Sequence, residues 1–165
     1  MKRLTKAGYG AVLLGFLLAG SLAGQAWSTT TFVNEWGERT DDVGARSTLV
    51  DGSGLSFPYN DTRGQIFVNC DNAWLRFTEA PNLTGGDISD GYHTYRLLIR
   101  IDGEESRLTV RQSWGEKDLD VVFDSEFIRN ISAGSQLDVL LPWYESRAVF
   151  RWSLAGSSDA IKQSC

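Results

Sequence analysis

The chain has 165 residues, with 16 Lys and Arg against 21 Asp and Glu and a formal net charge of −5. An acidic chain of this length suits neither nucleic acid nor an anionic membrane surface, and it can fill one sizeable core but not two. One histidine and two cysteines are too few ligands for a metal site, and they leave His93 as the single base available to a cysteine nucleophile.

In chain order, residues 1 to 28 read MKRLTKAGYGAVLLGFLLAGSLAGQAWS. Lys2, Arg3 and Lys6 precede an apolar run from Ala11 to Leu22, and small residues follow at Ser21-Leu22-Ala23 and Gly24-Gln25-Ala26. This is the layout of a secretory signal peptide. The alternative, a membrane anchor, fits less well, because a span needs ~20 apolar residues. The expected organisation is a signal peptide over 1–26 and an exported domain over 27–165, bacterial and periplasmic or secreted, with no transmembrane segment after cleavage. Without its leader the chain carries 13 basic and 21 acidic residues, a net of −8. In an oxidising compartment two cysteines point to a Cys70–Cys165 disulfide, with reactive or intermolecular thiols as the alternative.

The rest alternates with period two between Gly, Asp and Asn breaks, which predicts antiparallel strands. "TTFVNEW", "STLV" and "GLSFPY" read as short strands. In "QIFVNCDNAWLRF", Asp71-Asn72 is a plausible hairpin turn, pairing Cys70 with Ala73, Val68 with Leu75 and Ile66 with Phe77 on a core face. Trp74 and Phe67 fall on the opposite face. They are either covered by a further layer or exposed for protein binding or sugar stacking.

A second hairpin, "YRLLIRIDGEESRLTVRQSW", turns at Asp102 to Glu105. Tyr95, Leu97, Ile99 and Ile101 line one face with Leu108, Val110 and, in phase with them, Trp114. Arg96, Arg100, Arg107 and Arg111 share the other with Leu98. That face is either a patch for an acidic or phosphate-bearing partner or a solvated surface paired with acids such as Asp118 and Asp120. "DLDVVF", "QLDVLLPW" and "RAVFRWSLAG" are further strands, with Trp143 and Trp152 in phase with core stripes. "DSEFIRNISAG" reads as a short helix capped by Asp124 or Ser125 and ended by Gly134. "SDAIKQSC" reads as a second one, capped by Ser157 or Ser158. The sum is an all-β, single-domain antiparallel β-sandwich of about eight or nine strands, two short helices and one disulfide.

No nucleophile elbow, phosphate-cradling glycine loop or dinucleotide fingerprint occurs, so neither a cofactor nor an enzymatic activity is expected. The abundant carboxylates single out no glycosidase pair, and His93 in "GYHTY" has no visible catalytic partner.

The ordered run of "IFVNC", "RIDG", a Trp-Gly segment, "FIRNI", "LDVLL" and "VFRWSLAGSSDAIKQSC" resembles the VasI-like accessory proteins encoded with bacterial type VI secretion systems, and related small exported proteins, over about residues 63 to 165. The resemblance implies an exported, non-enzymatic accessory domain whose partner is a protein of the cell envelope or secretion machinery. It also implies Cys70 and Cys165 as partners and Arg100-Ile101-Asp102 as a shared strand-and-turn feature, and it supplies no catalytic residues. Two other functions fit the residues. One is a ligand- or carbohydrate-binding module using exposed aromatics and the arginine face. The other is an immunity or inhibitor protein against a toxin or envelope hydrolase.

Overall fold

The computed structural model describes residues 26–34 and 36–165; the expected signal peptide lies outside them except for Ala26. Eleven strands form one antiparallel sheet: β1 (Trp27–Val33), β2 (Arg39–Ser47), β3 (Val50–Asp51), β4 (Arg63–Asn69), β5 (Asn72–Phe77), β6 (Asp87–Ser89), β7 (Tyr92–Ile101), β8 (Glu104–Ser113), β9 (Asp118–Val121), β10 (Gln136–Leu141) and β11 (Ala148–Ser153). Two helices, α1 (Asp124–Ala133) and α2 (Ser157–Gln163), complete the described chain. The all-β class with two short helices is as the alternation predicts. The strand tally differs in detail: β2, whose RTDDVGARS lacks an apolar alternation, and the three-residue β6 show no period in sequence, whereas "GLSFPY", expected as a strand, is turn and irregular backbone.

The sheet runs β1-β2-β4-β5-β9-β8-β7-β10-β11, with β3 added to β4 and β6 to β7. It wraps round the core until its far side returns to β3. Just beyond β3, Ser53 exchanges two backbone hydrogen bonds of 2.9 Å with Val149 of β11. The Trp27 indole adds a tie from β1 to the Ser153 carbonyl at 3.0 Å. Inside, Phe77 meets Phe150 edge-on at 5.0 Å, and the Trp152 indole donates to the Gly64 carbonyl at 3.2 Å. Ile66, Val68, Leu75, Leu97, Leu137, Val139, Leu141, Phe150 and Trp152 are fully buried, so each expected core stripe faces inward. Burying each large apolar side chain contributes ~1.5–3 kcal/mol. Trp143 is also core. Trp114 is not: the β8 stripe ends at buried Gln112, and Trp114 lies past the strand, 84% exposed.

The first hairpin departs from its expected register. The turn is Cys70-Asp71, and the pairs are Asn69 with Asn72, Val68 with Ala73, Ile66 with Leu75 and Gly64 with Phe77. A two-residue slip leaves the paired side chains of both strands on their predicted faces. It moves Cys70 out of the core stripe into an exposed turn at φ 37°. The slip places Gly64 opposite Phe77, and a Cβ at Gly64 would lie 3.0 Å from the rings of Phe77, Phe150 and Trp152. Aromatic packing over a bare backbone thus overrides the Asp71-Asn72 turn preference. The second hairpin turns at Asp102-Gly103, both residues at positive φ (49° and 92°), which matches the right-handed strand twist.

Both helices start without a side-chain cap. Asp124 is occupied elsewhere, accepting the Ala73 backbone N–H at 3.2 Å, and Phe123 takes the left-handed capping position. At α2 the preceding residue is Gly156 at φ 86°, while the Ser157 hydroxyl donates to the Ile131 carbonyl of α1 at 2.8 Å. Gly134 ends α1 as expected. The two helices lie at the end of the sheet that holds the Cys70-Asp71 and Asp102-Gly103 turns, where buried Phe127, Ile131, Ala160 and Ile161 seal the core.

There Cys165 reaches Cys70, with the sulfurs 2.7 Å apart and both residues exposed. The structure brings the two together without joining them as a disulfide. In this thiol form, hydrogen bonding to Cys165, with burial and the Asp71 charge adding to it, pushes the Cys70 thiol up to about 11. A group so protonated at neutral pH is a poor nucleophile.

Phe32 of β1 lies across β2 at Gly44, where a Cβ would meet its ring at 2.5 Å and the Val68 carbonyl at 2.8 Å. Gly44→Ala is expected to lower stability by about 1–3 kcal/mol in urea unfolding. In a Phe32→Ala background the cost should shrink without vanishing, because the Val68 carbonyl remains. Equal costs in both backgrounds would mean that Phe32 does not sit on Gly44.

Candidate functional site

Strands β8, β7, β10 and β11 lie side by side, and their shared register sets rows of side chains on the outer face. One row is Glu105, Arg100, Asp138 and Arg151, with charges alternating in sign across four strands. The next is Arg107, Leu98, Leu140 and Val149. Arg96 follows Leu98 by one step of the β7 alternation, and Arg147 immediately precedes β11. The outcome is a strip of three half-buried aliphatic side chains with five arginines around it. Leu98, Leu140 and Val149 floor a shallow depression of about 220 Å3, with Arg100, Glu105, Asp138 and Arg151 along its edge.

Two of these arginines are held by carboxylates. Arg151 grips Asp138 through Nε–Oδ1 at 2.8 Å and Nη2–Oδ2 at 2.9 Å, and the Gln136 amide adds a bond to Oδ1 at 3.1 Å. Arg100 Nη2 meets Glu105 Oε1 at 2.6 Å. The Arg151 hydrogen bond, with smaller help from its charge, Gln136 and Arg100, outweighs burial and holds the Asp138 carboxyl below the usual carboxylate range. Arg96, Arg107 and Arg147 are exposed and form no ion pair among the described residues. Five guanidinium groups against two carboxylates make this face positive on an acidic chain.

The predicted site residues divide along the sheet. Arg96, Arg100 and Arg107 belong to this strip. Arg111 shares their face but lies toward β9, with its guanidinium 5.3 Å from the Tyr92 ring centroid and Asp120 opposite it in register. Burial, then the neighbouring Asp118, push the Asp120 carboxyl up, and Arg111 offsets part of that. Asp118 pairs with Arg76 of β5 at 2.7 and 2.8 Å and is not a counter-ion of the arginine strip. Trp74 stacks on Phe67 at 5.4 Å and 7°, and Phe32 covers it from β1 at 5.5 Å. It is half-buried, and its cover comes from a strand of the same sheet rather than from a further layer.

Sequence reasoning missed Arg147, Arg151, Asp138 and the Leu140–Val149 floor. The alternation in "QLDVLL" and "RAVFRW" marks them as outward-facing. Their union with the β7–β8 hairpin depends on β10 docking beside β7, which no local pattern specifies. Among the described residues no three or more His, Cys, Asp or Glu converge as a metal site, and no helix is long and apolar enough to cross a membrane.

Because the Asp138 carboxyl titrates below its unfolded value of about 3.9, its stabilisation is complete above that pH and is lost as pH falls through the lower folded value. Arg151 is largely solvated, so screening by water keeps the contribution of the pair small. Asp138→Asn is expected to lower the urea midpoint slightly near neutral pH, and the difference from the wild type should close as acid titrates the folded carboxyl. A gap that persists in acid would assign the loss to packing. Comparison with protein-family profiles, with curated proteins and with solved structures finds nothing that matches this chain.

Proposed function

We propose that the chain is an exported, non-enzymatic accessory domain that works by binding another protein of the cell envelope, in the manner the VasI-like resemblance implies for a type VI secretion or related system. The observation that carries this reading is the aliphatic strip Leu98–Leu140–Val149 inside its ring of arginines. Half-buried aliphatic groups offer a partner area to desolvate, and free guanidinium groups at the rim supply charge-assisted, directional bonds to carboxylates. The partner surface that fits is acidic at its edge and apolar at its centre. Electrostatic complementarity of this kind chiefly sets encounter rate and choice of partner.

The test is affinity capture from an envelope fraction, with wild-type protein beside the Arg96→Glu/Arg107→Glu double variant. Both positions are exposed and free of ion pairs among the described residues, so folding should survive. Proteins retained by the wild type are expected to be lost from the variant, and to elute from the wild type as salt rises. Identical retention by the two proteins would remove this face from the function.

The same reading includes a Cys70–Cys165 disulfide in the exported protein. Cys165 directly follows Ser164, the C-cap of α2, so the bond would fasten that helix to the β4–β5 turn. The cysteines are 95 positions apart, and closing such a loop contributes ~4–5 kcal/mol in the chain-entropy model. Protein isolated from the envelope is expected to resist alkylation until reduced, and its thermal midpoint should fall on reduction. Free thiols in that material would overturn the bond.

A further inference from the structure

At the end of the sheet away from the helices, the inward stripe of β7 and β8 continues into a cleft between the connecting loops. Tyr95 and Val110 form the last packed pair, and His93 stands directly opposite Gln112 one layer above them. Trp114, two residues beyond Gln112, keeps the same phase past the end of the strand. It projects beside His93, with centroids 5.6 Å apart, while His93 stacks on Tyr95 at 6.2 Å and 17°. Tyr59, from the segment between β3 and β4, forms the facing wall, held edge-on to Trp143 at 5.4 Å. With Pro81 and Leu83 these residues enclose a cleft of about 290 Å3.

The chemistry of the lining selects the ligand. Charged residues make up 22% of the chain, yet none lines this cleft. A cationic ligand would be desolvated there without a carboxylate to pair with, and an anionic one with only the His93 imidazole beside it. Gln112 is buried, and both of its amide hydrogens are used, donating to the Pro81 carbonyl at 3.1 Å and the Glu116 carbonyl at 2.9 Å. Those two bonds fix the amide, and its Oε1 receives no hydrogen bond from the described residues. The cleft thus presents a rigid acceptor beside an aromatic platform whose outermost member, Trp114, is 84% exposed. Burial pushes the Tyr95 phenol up, so it stays a neutral hydroxyl.

We propose that this cleft is a binding site for a neutral saccharide. A pyranose ring would lay its C–H face on the Trp114 indole and donate a hydroxyl to Gln112 Oε1. The volume lies at the small end of ligand pockets, typically ~300–1,000 Å3, which suits one ring, with the rest of a glycan leaving past Trp114. The site uses none of the residues of the arginine strip.

The experiment is titration of the 15N-labelled chain with neutral mono- and disaccharides, followed by its indole and side-chain amide resonances and by calorimetry. Tetramethylammonium and adenine serve as cationic and aromatic comparators. At least one saccharide should saturate the protein and shift the Trp114 indole and Gln112 amide signals. Trp114→Ala, which removes an exposed side chain, should weaken that binding about tenfold or more. Arg96→Glu/Arg107→Glu should leave it unchanged. The proposal is overturned if no saccharide binds, if binding persists undiminished in Trp114→Ala, or if a comparator alone occupies the cleft.

Discussion

The packing of three aromatic rings over Gly64 is the constraint on which the rest of the molecule depends. Phe77, Phe150 and Trp152 approach to the distance at which a Cβ would already crowd them, and the Trp152 indole reaches the Gly64 carbonyl. A larger residue at position 64 would hold β4 away from β11. With glycine there, β11 closes against β4, and the Ser53–Val149 bridge completes the circuit. The buried indole N–H also finds an acceptor in this way, which removes the penalty of leaving it unpaired. Closure matters beyond stability because the Ser53–Val149 bridge covers part of the β11 edge. It also gives the molecule two different ends, one sealed by helices and the other, more open, covered by loops around a cleft.

Each end inherits its character from where the chain crosses it. The sealed end collects the tight Cys70-Asp71 and Asp102-Gly103 turns, and α1 and α2 bring apolar side chains over them. Asp102 does more than turn the chain: its carboxylate accepts the Ser135 and Gln136 backbone N–H groups as the chain leaves α1. The open end collects the longer connections, and there the inward aromatic stripe runs past the last packed layer into solvent. The outer face, meanwhile, is defined by register. Four strands align so that aliphatic groups fall in one row and alternating charges in the next.

The C-terminal segment shows how such a device can be half-read. Two scarce cysteines suggest a pair, and the structure does bring Cys165 to Cys70. The expected setting was a core face, whereas the observed one is an exposed turn. Alternation places Cys70 in phase with Val68 and Ile66, but phase has no meaning once the strand ends, and the slip of two residues puts Cys70 beyond that point. Trp114 illustrates the same limit from the other side. It shares the phase of Leu108 and Val110 and stands outside the core because the strand stops at Ser113.

The sequence by itself determined which side chains face inward along the two long hairpins and the β10 and β11 strands, the two helical segments and the four arginines on one face of the β7–β8 hairpin. Period-two alternation and local turn and helix-ending residues carry that information. Tertiary structure alone decided the pairing of the first hairpin, the closure of the sheet and the union of β10 and β11 with the arginine hairpin. It also decided the burial of Trp74 beneath Phe32 and the exposure of Trp114. The physical reason is common to all of these. Alternation is unchanged by a slip of two residues and says nothing about which strand lies next. Register and neighbours are chosen where bulky rings find a backbone bare enough to pack against.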